Sequence, residues 1–259
     1  MLPERNVLLK VERLTKMFGS VVALKNVSFE MSRNEIIGLV GDNGAGKSTL
    51  VKIISGNFPP DEGEMFFEGQ PVSFSSPSDA RKLGIETVYQ DLAICNNLDA
   101  AANLFIGREA YRNLLDFRVL RKRQMVEVSA DVFNKIGINM PSSHERVEYF
   151  SGGQRQAVAI GRFVAWGNKL ALLDEPTAAI GIRETKKILD LIRSAKENGV
   201  GIILISHNLQ QVFEIADRII VLRQGELVGI REKTKTTPDE IVSMITGANF
   251  LQNQNPTQQ

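Results

Sequence analysis

Gly41-Asp42-Asn43-Gly44-Ala45-Gly46-Lys47-Ser48-Thr49 decides the fold of this chain. It matches G-x-x-x-x-G-K-[ST], follows the apolar run Ile36–Val40, and leads into Ser48–Ser55, whose Leu50, Val51, Ile53 and Ile54 can share one helical face. Strand, glycine loop and helix in that order form a phosphate cradle. The glycines let the backbone curl so that successive N–H groups point inward, and the helix start adds partial positive charge. Lys47 is placed to neutralise β- and γ-phosphates, and the Ser48 hydroxyl to ligate Mg²⁺.

Outward from the loop, short apolar runs alternate with helix-like stretches, the pattern of a parallel sheet covered by helices. Ile36–Val40, Leu170–Leu173 and Ile202–Ile205 read as buried strands. The opening third differs. Val27, Phe29 and Met31 alternate with polar residues, as do stretches around Val7–Val11 and Met65–Phe67, which predicts half-exposed antiparallel strands. Glu68-Gly69 and Gln224-Gly225 sit where hairpin turns are expected. From about residue 92 to 160 the strand pattern stops. Leu98–Ile106 and Arg118–Ile136 have helical spacing, so this stretch is predicted to be a mostly helical insertion. The Asn- and Gln-rich residues 249–259 are expected to form a loosely ordered tail after one domain spanning 1–248.

Two further strand ends carry chemistry. Leu170–Leu173 runs into Asp174-Glu175, and in a parallel sheet the C-terminal strand ends line the ligand crevice. Asp174 can hold Mg²⁺, while Glu175 can orient and deprotonate an attacking water. Ile202–Ile205 ends in Ser206-His207, where an imidazole can bond the γ-phosphate. His144, beside Glu145 and Arg146, is expected at the surface. Ser151-Gly152-Gly153-Gln154-Arg155, ahead of a helix read from Gln156 to Val164, is a second glycine-rich helix start able to bind an anion.

Bulk properties narrow the function classes. In 259 residues, 43% hydrophobic, there is enough apolar surface for one large domain or a domain with a subdomain. The net charge of +1 gives no basic field for nucleic acid. The basic group Arg118, Arg121, Lys122 and Arg123 reads as a solvated helix face. Cys95 is the single cysteine, which excludes an intramolecular disulfide and reads as a small apolar residue. Met1 to Lys10 lacks the apolar core of a signal peptide, and no apolar run approaches the roughly 20 residues of a membrane span.

Together these motifs make the chain resemble the ATPases of ABC transporters over nearly its whole length. Ser151–Gln154 is similar to that family's signature, Gly41–Thr49 to its phosphate loop, Leu170–Glu175 to its acidic strand, and His207 to its switch histidine. Gln90, in Thr87-Val88-Tyr89-Gln90-Asp91, resembles the glutamine that links the Mg²⁺ site to the membrane subunits, and Phe18 the aromatic that stacks on adenine. The implied fold is an α/β P-loop NTPase (RecA-like) core with an antiparallel β subdomain and a helical insertion. The implied function is that of an ATP- and Mg²⁺-dependent motor. Two subunits close head to tail, each ATP lying between one phosphate loop and the other subunit's signature, and drive separate integral-membrane permease subunits.

Asp174–Gly181, Ser206–Leu209 and Tyr89–Leu92 followed by Asn97-Leu98 further resemble the ATPases of bacterial monosaccharide importers of the ribose, xylose and fructose type. That resemblance implies a peripheral location on the cytoplasmic face of the bacterial inner membrane, a sugar-binding protein as an indirect partner, and no nucleic acid. Three features depart from the pattern. Phe150 replaces a leucine, one module is present instead of two, and Gly181 stands where the family often has an aspartate. The alternatives are an exporter motor, a non-transport ABC ATPase acting on nucleic acid or ribosomes, and a small-molecule P-loop kinase. The kinase would have no use for Ser151–Gln154.

Overall fold

The computed structural model describes residues 7–114, 117–137, 145–166, 169–178 and 180–248; the expected positions of His144 and of the tail 249–259 lie outside them. The chain opens with two long strands, β1 (Val7–Phe18) and β2 (Val21–Ser32). Then come β3 (Ile36–Val40), α1 (Lys47–Ile54), the pair β4 (Glu62–Phe67) and β5 (Gln70–Val72), α2 (Pro77–Lys82) and β6 (Ile85–Val88). The helical stretch comprises α3 (Ala100–Phe105), a hairpin of β7 (Tyr111–Leu114) and β8 (Phe117–Leu120), α4 (Lys122–Ile136) and α5 (Gly152–Trp166). The chain then returns through β9 (Leu170–Asp174), α6 (Ile182–Glu197), β10 (Gly201–Ile205), α7 (Leu209–Ile215), β11 (Arg218–Arg223), β12 (Glu226–Glu232) and α8 (Pro238–Thr246).

The principal sheet has the order β12-β11-β3-β10-β9-β6, parallel except for the edge strand β12. Its central strands β3, β9 and β10 are buried on both faces, as their unbroken apolar runs require. Ile36, Val40, Ala171, Leu173, Ile202 and Leu204 pack into one core with α4, α5, α6 and α7. Their alternates Ile37, Leu39, Leu170, Leu172, Ile203 and Ile205 pack into a second core with α1 and the smaller sheet. That smaller sheet, β2-β1-β4-β5, is antiparallel, as the period-two alternation of the opening third predicts. Both expected hairpin turns are present. Glu68 and Gly69 have φ of 52° and 77°, Gln224 and Gly225 of 50° and 80°, the paired positive values of a type I′ turn.

The helical stretch departs from the sequence reading in its details. Arg118–Leu120, read as the start of a helix, belongs to β8, paired with β7 in the register Asn113↔Arg118 and Tyr111↔Leu120. Arg118 lies over the Tyr111 ring, 4.5 Å from its centroid, so this cross-strand contact competes with helical spacing. Arg118, Arg121, Lys122 and Arg123 are all exposed, but they do not share a helix face: Arg118 lies on β8, Arg121 precedes α4, and only Lys122 and Arg123 are helical. Cys95 is exposed too and not packed as an apolar residue; its backbone N–H and C=O both bond the side chain of buried Asn103. Phe150 fills the core between α4 and α5, so its larger ring is accommodated. At the far end of α5, Trp166 packs edge-on to Phe105 and donates its indole N–H to Leu104 O at 3.0 Å.

Candidate nucleotide site

A cavity of about 950 Å³ opens at the C-terminal edge of the principal sheet. It is lined by the whole loop Gly41–Thr49, by Gln90, Asp174, Glu175 and His207, and by Val21, Val22 and Ala23 of β2. The topology dictates this gathering, because β3, β9 and β10 are adjacent and parallel and all end at one edge. Residues as distant in sequence as Lys47 and His207 meet there.

The loop has the shape of an anion cradle. Gly41 and Gly46 have φ of 154° and 102°, and a Cβ at either would lie 2.2 Å from Leu222 O or 2.6 Å from Ala23 O. Only glycine fits a backbone so placed. No side chain caps α1, and the N–H groups of Lys47, Ser48 and Thr49 have no acceptor among the described residues. Lys47 folds back, donating from Nζ to the Gly41 and Asp42 carbonyls at 2.7 and 2.8 Å. Burial lowers its pKa, against the opposing pull of Asp174, Glu175 and Asp42. A half-buried cation among open amides fits a polyphosphate.

Asp174 is buried at the end of β9. Its pKa is raised to about 6, first by loss of solvation and then by the neighbouring Glu175 charge. Among the described residues no group of three or more His, Cys, Asp or Glu forms a self-contained metal cage. One carboxylate beside the Ser48 hydroxyl and the Gln90 amide is instead the sparse donor set Mg²⁺ uses when phosphate oxygens complete its shell.

Glu175 stands just beyond β9 in a left-handed conformation, φ 52°, which a non-glycine residue adopts only where its surroundings impose it. Its N–H bonds Ile205 O at 3.0 Å. Its Oε1 accepts from the His207 backbone N–H at 2.9 Å and faces His207 Nδ1 at 2.8 Å. The carboxylate is 11% exposed and the imidazole 80%, an acidic group kept close to dry with its partner at the cavity mouth.

Two expected parts of the site stand apart from this cavity. Phe18 is not in its wall; it is half exposed and edge-on to Phe58, with centroids 5.4 Å apart. Val21 and Val22, both exposed on the facing strand, line the cavity instead, and their apolar surface gave no motif to find. Ser151–Gln154 also lies outside the cavity, at the start of α5. Ser151 Oγ accepts from the Gln154 N–H at 3.3 Å and Gln154 Oε1 accepts from the Ser151 N–H at 2.9 Å, a reciprocal capping box. Tyr89, absent from the sequence-based candidates, tethers the Gln90 loop to the end of α1, its hydroxyl meeting Ser55 Oγ at 3.1 Å and Asn57 Oδ1 at 2.9 Å.

The ABC transporter family profile matches residues 24–178. The chain is 46% identical over 239 residues to the xylose/arabinose import ATP-binding protein of Sulfolobus acidocaldarius, covering 92% of this chain and 94% of that relative. It is 42% identical over 245 residues to the fructose import ATP-binding protein of Rhizobium meliloti, covering 93% and 94%. A solved dimeric ATP-binding cassette in a post-hydrolysis state, bound to ADP and Pi, matches with a TM-score of 0.75 at 25% identity over 87% of this chain and 98% of that one. On a sheet whose edge gathers phosphate loop, acidic strand end and histidine, with SGGQ opening the next helix, this likeness has one meaning: the chain belongs to the ABC transporter family.

Proposed function

We propose that this chain is the ATP-hydrolysing motor of an importer for a monosaccharide. The observation that carries the reading is the convergence of Lys47, Asp174, Glu175, Gln90 and His207 on one cavity beside an uncapped helix start. The relatives, named for xylose/arabinose and fructose import, favour a sugar and favour transport over a nucleic-acid or ribosome role.

In this reading Gly41–Thr49 hold the phosphates of ATP, Lys47 sets against the β- and γ-phosphates, and Val21 and Val22, in the cavity wall where Phe18 is not, offer the adenine an apolar surface. Ser48, Gln90 and Asp174 would hold Mg²⁺, whose charge would offset that of the phosphates. Glu175 takes the proton of the attacking water, a contribution of about 10²–10⁴-fold. His207 exchanges its bond to Glu175 for one to the γ-phosphate, freeing the carboxylate as the nucleotide arrives.

Ser151–Gln154 serves the opposite subunit. Within one chain it lies outside the cavity, so a head-to-tail pair supplies it in trans, and the dimeric cassette among the matching structures supports such pairing. Among the described residues no helix is long and apolar enough to cross a membrane. In this reading separate integral-membrane permease subunits carry the solute, a sugar-binding protein delivers it, and this subunit sits peripherally on the cytoplasmic face of the bacterial inner membrane, in keeping with the import relatives.

The test is the solution mass of the Glu175→Gln chain with and without ATP and Mg²⁺, by light scattering after size exclusion. Bound ATP that is not turned over should convert monomer to dimer. A chain that binds ATP yet remains monomeric would refute self-pairing. Stimulation of ATPase activity by one member of a sugar panel, in the transporter reconstituted with its permease, tests the solute class.

A further inference from the structure

The helix that begins at the signature is tied to two left-handed turns of the chain's own site. Gln156, 3% exposed in the first turns of α5, donates from Nε2 to Pro176 O at 2.7 Å, one residue beyond Glu175. Two turns along, Arg162 donates from Nη1 to Ala93 O at 2.9 Å and from Nε to Asn103 O at 3.2 Å. Ala93 and its neighbour Leu92 have φ of 45° and 53°, just after Gln90 and Asp91. Asn103, fully buried, holds the same loop at Cys95 from both sides.

Each of these conformations needs outside support, because a non-glycine residue leaves the left-handed region when its surroundings relax. Besides the His207 contacts to its carboxylate, the Glu175 turn is held among the described residues by β10 through Ile205, by α7 through Gln211, whose Oε1 accepts from Thr177 Oγ1 at 2.8 Å, and by α5 through Gln156. Among the described residues α5 is the one of these supports that also hydrogen-bonds the loop beyond Gln90. Its hydrogen-bonded backbone fixes Gln156 and Arg162 about 9 Å apart along the axis, so a shift of the helix start moves both contacts together.

We propose that Gln156 is a positioning residue for Glu175 and Arg162 one for the Gln90 loop, so that α5 sets both turns at once. An event at the signature, where the second subunit's nucleotide would press, is thereby transmitted to this chain's own hydrolytic turn. The proposal rests on Glu175 acting as the base and on Gln90 serving the metal side.

Gln156→Met tests it, since methionine keeps the length and volume and removes only the donor. In the purified full-length chain, turnover should fall at least tenfold, while KM for ATP and the Kd of AMP-PNP stay within twofold. Amide exchange at Glu175–Ala178 should quicken, and the Glu175→Gln variant should show no further loss when Gln156→Met is added. Unchanged turnover with unchanged exchange overturns the proposal. So does a parallel loss of nucleotide affinity, which marks a scaffold role.

Thr177→Val, which breaks the α7 support of the same turn, is the second variant should Gln156→Met not fold; its turnover and exchange must move in the same sense. Arg162→Lys should quicken exchange at Ala93 and Cys95 alone, and no change there removes the second tie. Full turnover in Glu175→Gln by itself would sink the catalytic reading, while exchange at the Glu175 turn in Gln156→Met still decides whether the tie exists.

Discussion

The molecule has two glycine-rich helix starts, and they are built in opposite ways. At α1 no side chain caps the helix, the first amides are open, and the nearest side-chain cation, Lys47, is folded onto the loop's own carbonyls. At α5 the helix start is closed on itself, with Ser151 and Gln154 satisfying each other's backbone N–H. An anion at α1 meets donors already waiting. An anion at α5 has to compete with the cap for the Ser151 hydroxyl. The first arrangement is suited to binding within one chain; in the proposed reading the second responds to an anion delivered by the opposite subunit's surface.

Lys47→Ala should produce the largest effect on binding. Removing charge-assisted bonds of about 1.5–3 kcal/mol lowers ATP affinity roughly 10- to 100-fold. Because α1 works within one chain, titration calorimetry on monomeric protein should show it in full, and retained affinity would break the comparison.

Asp174 should make the stability of the nucleotide-free chain depend on pH. Its folded pKa of about 6 lies above the 3.8 of an ordinary aspartate, so the folded form holds its proton more tightly. The stability that protonation supplies is present below the ordinary range and is lost as pH rises from about 4 through 6. Asp174→Asn lacks this titration. In EDTA its Tm should exceed that of the parent above pH 6, and the gap should close toward pH 4. A gap independent of pH would count against the buried-carboxylate account.

Ser151→Ala should have the smallest effect on the fold, about 1 kcal/mol or a fall in Tm of about 2–4 °C for the loss of an N-cap. ATP affinity of the monomer should be unchanged, while ATP-driven dimerisation in the Glu175→Gln background should disappear. A monomer that loses nucleotide along with Ser151 would show that the two helix starts act in cis after all.

The α1 site was legible in the sequence because strand, loop and helix are contiguous there, and Leu50, Val51, Ile53 and Ile54 are all buried as their spacing predicts. The strand ends carrying Asp174 and His207 were legible because parallel sheets place their C-terminal ends at one edge. The α5 start was read four residues late, at Gln156 instead of Gly152. Two glycines weigh against helix locally, whereas the Ser151–Gln154 cap and the buried Ala157, Val158 and Ile160 decide for it. The hairpin Tyr111–Leu120 was missed because its basic, aromatic strands are short and exposed, so no buried face imprints a period of two. Val21 and Val22 were passed over for a related reason: an exposed valine has no pattern until the cavity beside it is seen.

Trp166 gives this architecture an optical handle. It is the single tryptophan of the chain, seated on the last turn of α5 against Phe105 and beneath the Arg108 guanidinium, 5.3 Å from the ring. Intrinsic emission therefore comes from one indole on the helix that opens with the signature. A tilt of that helix on nucleotide binding would move the Arg108 charge and alter the polarity around one fluorophore, so stopped-flow mixing with ATP tests for the motion without an attached dye.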